Sequence, residues 1–114
     1  MSEFMKISLP NSDQTQEFTE LKMDIAQVGD WNVFRFILEP GWRWTDHAEE
    51  YGDTETCESE HPLWTVVSGR MVVRMNDGRE IEFGPGSVGY IPPGHDAWVV
   101  GDEPVIAFDY QPAN

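Results

Sequence analysis

The chain has 114 residues, which suits one domain with one hydrophobic core, and it carries 21 acidic against 7 basic residues for a formal net charge of −14. This charge argues against nucleic acid, whose phosphates need a basic face, and against an anionic membrane surface. The single cysteine, Cys57, excludes an internal disulfide and fits a reducing compartment. The N-terminus lacks the pattern of a signal peptide and no apolar run is long enough for a membrane span, so we expect a cytoplasmic protein.

The first third of the chain contains two strand-like runs. Residues 1–20 are polar and irregular, and we expect them to form an arm or an edge strand of a single domain spanning 1–114. Apolar and polar residues alternate over 21–25, which predicts a half-buried strand. The aromatic and β-branched run 31–38 predicts a second strand, which the Pro-Gly pair at 40–41 ends.

Residues 45–60 are acidic and lack an apolar face. They predict a long loop with a strand near its end. Loops of this length inside a small domain are usually functional or disordered, and candidate ligands at both ends favour a function.

The rest of the chain predicts short strands separated by turns, and Asp77-Gly78 is a strong signal for a two-residue hairpin. The predicted strands cover residues 63–67, 70–76, 80–83, 88–91, 97–100 and 105–110. Eight or nine strands with no long amphipathic helix indicate an all-β protein, either a small barrel or a double-sheet sandwich.

The three histidines, His47, His61 and His95, each lie where a strand-like run meets a turn. Histidine is the side chain best suited to bind a transition metal or transfer a proton near neutral pH, so we interpret them as ligands of one metal site. Glu49 with two histidines would give the donor set typical of oxygen-activating ferrous iron, whereas a Cys57 thiolate would favour zinc, copper or thiol-ligated iron. The simpler alternatives are satisfied core histidines, a solvated carboxylate and a small buried thiol.

Aromatic residues surround the candidate ligands in sequence. We interpret Trp42, Trp44 and Trp98 as a wall around a small organic substrate, with core packing as the alternative. Arg43 offers a guanidinium for a substrate carboxylate, and a surface salt bridge is the alternative.

Two segments resemble the motifs of the cupin superfamily. Gly41 and His47 have the five-residue separation of the first motif, which Gly69 closes. The spacing of the second motif is matched by Gly86, Pro92 and Gly94.

The sequence departs from both motifs. Glu49 stands where the second histidine of the first motif is expected, and His61 lies near the place of the motif's glutamate. The histidine position of the second motif holds Ala97, and His95 lies two residues earlier, on the same face of a strand.

The resemblance covers about residues 20–110 and implies a jelly-roll barrel that holds a divalent metal (Fe, Mn, Ni or Zn) on histidines. It further implies a homodimer and a small-molecule enzyme of the dioxygenase, isomerase or lyase type. Two alternatives remain open: a non-catalytic cupin that binds or senses a small ligand, and metal-free acid–base catalysis by a histidine.

Overall fold

Nine strands and one short helix form the regular structure of the residues that our computed structural model describes, which are 4–10, 14–52 and 56–113. The elements, in chain order, are β1 (Gln14–Phe18), β2 (Leu21–Val28), β3 (Trp31–Leu38), α1 (Trp44–His47), β4 (His61–Ser68), β5 (Arg70–Met75), β6 (Glu80–Phe83), β7 (Val88–Ile91), β8 (His95–Val100) and β9 (Val105–Pro112).

The strands form two antiparallel sheets, one of six strands in the order β1-β2-β3-β9-β4-β7 and one of three in the order β6-β5-β8. Strands that are neighbours in a sheet are often distant in sequence, as β3 and β9 are. This arrangement confirms the prediction of an all-β jelly-roll barrel. The turn residue Gly78 has a φ of 93°, which allows the tight connection between β5 and β6 that its Asp-Gly pair predicts.

The core lies between the two sheets, because alternate residues of each strand face inward. Leu38, Val66, Met71 and Val105 are almost completely buried there. Larger aromatic side chains enclose a cavity beside this core.

Several apolar side chains face outward on the six-stranded sheet. Leu63, Val67, Val88 and Tyr90 are all exposed on the neighbouring strands β4 and β7. The homodimer that the resemblance to cupins implies stays a prediction.

The part of the chain that the structure describes contains no helix with the length and apolar character that a membrane crossing requires.

The segment predicted as a long loop begins with helix α1, which we did not expect. The Asp96 carboxylate accepts hydrogen bonds from Arg43 Nε at 2.9 Å and from Thr45 N and Oγ1 at 3.2 Å. These contacts hold the start of the helix, and they come from a residue about 50 positions away. A four-residue helix that depends on such a distant partner leaves no local sequence signal.

Gly69 should be far less tolerant of substitution than other turn glycines. Its φ is 80°, and a Cβ atom there would lie 2.3 Å from the Pro104 carbonyl oxygen and 2.7 Å from Val105 Cα. Gly69→Ala is therefore expected to lower the free energy of unfolding by about 3 kcal/mol or more. Gly78→Ala is the matched control, because its φ is also positive but no atom lies within 4 Å of its Cβ position. Gly78→Ala should lower the free energy of unfolding by only about 1 kcal/mol. Urea unfolding measures both variants, and equal losses of stability would contradict this account.

Candidate metal centre

The structure brings Cys57, His61 and His95 together on the inner wall of the barrel. Each offers one ligand atom, and these atoms lie within 4.8 Å of one another. Cys57 Sγ is 4.0 Å from His61 Nε2, and the two imidazole rings are 5.4 Å apart between centroids. Cys57 and His95 are buried and His61 is half-buried.

Backbone pairing explains how three distant positions meet. His61 begins β4 and His95 begins β8, in different sheets. Cys57 is fixed to β8 by an isolated bridge, in which its N donates to the His95 carbonyl at 2.7 Å and its carbonyl accepts from His95 N at 3.1 Å. The Cys57 thiol therefore lies beside His61 because the backbone of Cys57 pairs with β8 in the other sheet. Cys57 is not part of a continuous strand with β4.

Both imidazoles are oriented by a hydrogen bond on Nδ1. His61 Nδ1 lies 3.1 Å from Asp109 Oδ2, and His95 Nδ1 lies 2.9 Å from the Pro92 carbonyl oxygen. Because both partners are acceptors, each Nδ1 carries a proton, and the neutral form of each ring therefore keeps its lone pair on Nε2. Histidine ligands in metalloproteins are held in the same way.

Asp109 is itself held rigidly. It is 1% exposed, and its Oδ1 accepts hydrogen bonds from Leu63 N at 3.1 Å and from Tyr110 N at 2.9 Å. Its carboxylate therefore has partners on both oxygens, which compensate for its burial.

Without a metal, the cluster favours a charged pair. Burial disfavours ionisation of the Cys57 thiol, but hydrogen bonds with His61 and His95 outweigh it and lower the pKa to about 6. Burial also disfavours protonation of His61, but hydrogen bonds with Asp109 and Cys57 raise its pKa to about 9. A thiolate and an imidazolium therefore face each other between these two values.

The opposite pKa shifts of Cys57 and His61 should make the stability of metal-free protein nearly independent of pH between about 6.5 and 9. The pKa of Cys57 is lowered on folding from 9.0 to about 6, so its contribution to stability is full above 9 and is lost as the pH falls through about 6. The pKa of His61 is raised on folding from 6.5 to about 9, so its contribution is full below 6.5 and is lost as the pH rises through about 9. The gain of one contribution therefore offsets the loss of the other across this range. Cys57→Ser removes the first contribution, so the unfolding temperature of the chelator-treated variant should fall more steeply than that of the wild type as the pH rises from 6.5 to 9. Parallel curves for the two proteins would show that the pair does not titrate in this way.

The cluster lines a cavity of about 320 Å³ that opens to solvent. This volume lies at the lower end of the range for small-molecule sites. Phe36, Trp42, Trp44, Tyr51 and Trp64 line it together with aliphatic side chains.

Two of the predicted ligands lie elsewhere. His47 ends helix α1, which directs its ring away from the cavity, and its Nε2 is 3.0 Å from Glu20 Oε1. Thr19, beside Glu20, also donates to the carboxylate of Glu50 at 3.0 Å. His47 therefore helps to tie the β1–β2 turn to the segment that follows α1. Glu49 is exposed in that segment.

Only some of the residues predicted to surround a substrate line the cavity. Trp42 and Trp44 line the cavity, and the Trp42 indole donates to Tyr51 Oη at 2.8 Å. Trp98 lies outside, because the inward face of β8 is taken by Ala97. Arg43 stacks on Trp98 at 4.6 Å and pairs with Asp96 at 2.9 Å, so its guanidinium does not line the cavity.

Sequence reasoning missed Asp109, although its position carries a signal. Along β9, Val105, Ala107 and Asp109 alternate with less buried residues, and all three are at most 1% exposed. An aspartate in the inward phase of an apolar strand needs a buried partner. Here the partner is His61.

A double-sheet barrel with a histidine-containing cluster on its inner wall is the architecture of a cupin. The profile of the EutQ-like cupin domain family matches residues 39–108, which is more than half of the chain. The chain therefore belongs to this family, and the resemblance seen in the sequence is confirmed.

Solved structures agree on the fold. A cupin 2 conserved barrel domain protein from Salinispora arenicola CNS-205 is similar, with a TM-score of 0.66 and 18% identity over 95% of this chain and 88% of that one. A protein of unknown function from Rhizobium leguminosarum bv. viciae 3841 has a TM-score of 0.66 and 18% identity over 97% and 99%. KdgF from Halomonas sp. has a TM-score of 0.64 and 15% identity over 97% and 96%. No protein of curated function matches the sequence significantly.

Proposed function

We propose that this cupin is a metal-dependent enzyme that acts on a small molecule and binds a divalent transition metal through Cys57, His61 and His95. The observation that carries the proposal is the meeting of the three ligand atoms within 4.8 Å at the wall of a cavity. The engaged Nδ1 atoms of both histidines add support, since they leave each Nε2 free to ligate.

The donors narrow the choice of metal. One thiolate and two imidazoles suit zinc, copper, iron or nickel better than manganese, which prefers oxygen ligands. Three protein ligands leave coordination positions open, as in catalytic rather than structural sites. When bound, such a metal supplies a Lewis acid for a substrate oxygen and lowers the pKa of a coordinated water.

Residues of the chain itself would bind the substrate and orient the ligands. The aromatic wall formed by Phe36, Trp42 and Trp64 holds the body of a substrate beside the cluster and excludes water. Asp109 fixes the ring of His61, and the Pro92 carbonyl fixes that of His95. We propose a reaction of the dioxygenase, isomerase or lyase type on a small molecule.

The decisive experiment is the metal content of protein purified without an affinity tag. We expect about one ion per chain, and its loss in Cys57→Ser, His61→Gln and His95→Gln. His47→Gln is the matched control, because it removes the one histidine outside the cluster. Wild-type protein that binds no metal after anaerobic loading with iron, nickel, copper and zinc would refute the proposal, as would equal loss of metal in His47→Gln.

A second candidate function is non-catalytic binding of a small ligand. It is favoured by the cavity, whose aromatic lining extends well beyond the three cluster residues. This candidate predicts that a ligand raises the unfolding temperature without being converted. Turnover of any ligand that binds in the cavity would decide for the enzyme.

A further inference from the structure

The walls of the cavity are built largely from packed aromatic rings. Phe36 lies against Trp64 with 4.9 Å between ring centroids, Trp44 lies 4.6 Å from Tyr51, and Phe18 lies 5.1 Å from Tyr51. All five line the cavity. Aromatic faces carry a negative quadrupole, which attracts cations and repels anions.

None of the chain's seven basic residues lines the cavity, and all seven belong to the described part of the chain. Arg35 is held by Asp24 at 2.7 Å, and Arg43 by Asp96 at 2.9 Å. The other five, which also stay outside the cavity, are Lys6, Lys22, Arg70, Arg74 and Arg79.

A metal in the cluster would not supply the missing positive charge. The Cys57 thiolate and the Asp109 carboxylate together carry two negative charges, which a divalent ion only balances. The chain as a whole has a net charge of −14, so its field disfavours the approach of anions. A buried phosphate or carboxylate would therefore lose its hydration, and no Lys or Arg side chain of the cavity wall would pair with it.

We propose that the ligand of this cavity is a small, uncharged or cationic molecule with an aromatic or aliphatic body, and not a phosphate or carboxylate. This inference rests on the proposed function, because it names the class of substrate for the same site. It also replaces the expectation that Arg43 holds a substrate carboxylate, since Arg43 is engaged on the outside of the barrel.

Three probes with the same ring and different charge test the proposal. Benzyltrimethylammonium is cationic, benzyl alcohol is neutral and phenylmethanesulfonate is anionic, and none of them is a strong metal ligand. Calorimetric titration into the protein as purified should give affinities for the cation and the alcohol at least about tenfold above that for the sulfonate. Preference for the sulfonate, or binding of none of the three, would overturn the proposal.

A pair of variants with the same change in net charge shows whether the cavity causes the preference. Gln16 lines the cavity on edge strand β1, so Gln16→Arg should narrow the preference of the cation over the sulfonate by about threefold or more. Glu103→Gln also adds one positive charge, but in an exposed turn outside the cavity, and should leave the preference unchanged. An equal change in both variants would contradict selection by the cavity.

Metal analysis of the same preparations separates the two proposals. Protein that shows the charge preference but binds no metal would refute the metal-dependent function alone. Protein that binds metal but prefers the sulfonate would refute the substrate class alone.

Discussion

Asp109→Asn is expected to lower the affinity for zinc by about 10- to 100-fold. The asparagine oxygen can still accept from Leu63 N and Tyr110 N, so the local fold should persist. Its NH₂ group cannot accept a hydrogen bond from Nδ1 of His61 and can only donate one. The Nδ1 atom therefore becomes the acceptor, and the proton of the neutral ring moves to Nε2. A protonated Nε2 cannot ligate, so the site loses one of its three donors.

Competition with a chromophoric chelator measures this affinity directly. Asp24→Asn is the matched control, because Asp24 is 0% exposed, pairs with Arg35 at 2.7 Å and does not line the cavity that holds the cluster. Its pKa is lowered because the hydrogen bonds from Arg35 and Thr15 outweigh the effect of burial. Both variants should lose stability, but only Asp109→Asn should lose metal affinity. Unchanged zinc binding in a folded Asp109→Asn protein would show that the carboxylate is not needed to position His61.

The strands could be predicted because their signals are local. Alternation of apolar and polar residues places β2, and an Asp-Gly pair places the turn between β5 and β6. The starts of β4 and β8 extend by two residues beyond the prediction, to His61 and His95. These extensions matter, because both histidines gain a fixed backbone from the ladder.

The site was harder to predict, because its geometry depends on pairings between distant residues. The motif spacing of His47 gave the strongest reason to expect a ligand, yet its ring faces Glu20, 27 positions earlier. Cys57 joins the cluster through a bridge to His95, which no pattern around either residue indicates. A spacing rule records where a family places its ligands, whereas the direction of each side chain is decided by the local turn and its partners.

Arg43 shows that the residues that contact a substrate are equally hard to predict from their position in the sequence. Its position between two tryptophans suggested a cavity residue, but β-strand alternation places Trp98 on the outer face, and Arg43 follows it. The partner that holds it, Asp96, is 7% exposed and also supports the start of α1. Arg43 therefore stabilises the segment that carries Trp42 and Trp44 instead of contacting a ligand.

Trp64→Ala is expected to cost about 3 to 5 kcal/mol of the free energy of unfolding, a large part of the total for a domain of this size. Trp64 is 4% exposed, its indole donates to Met71 Sδ at 3.2 Å, and its ring lies 4.9 Å from Phe36 and 5.0 Å from His61 between centroids. Its removal leaves a void beside the Cys57–His61–His95 cluster, so the core loses packing and His61 loses the ring that it packs against.

Trp98→Ala makes the same chemical change on the outer face, where the ring is half-buried and contacts Arg43. It should cost only about 1 kcal/mol, because the cation–π contact is partly exposed and no cavity forms. Trp64→Phe keeps an aromatic ring in the wall and should recover more than half of the loss caused by Trp64→Ala. Urea unfolding of the three variants tests this order, and equal losses for Trp64→Ala and Trp98→Ala would mean that the ring of Trp64 does not support the barrel wall. Because Trp64 packs against His61, its loss should also weaken zinc binding, whereas loss of Trp98 should not.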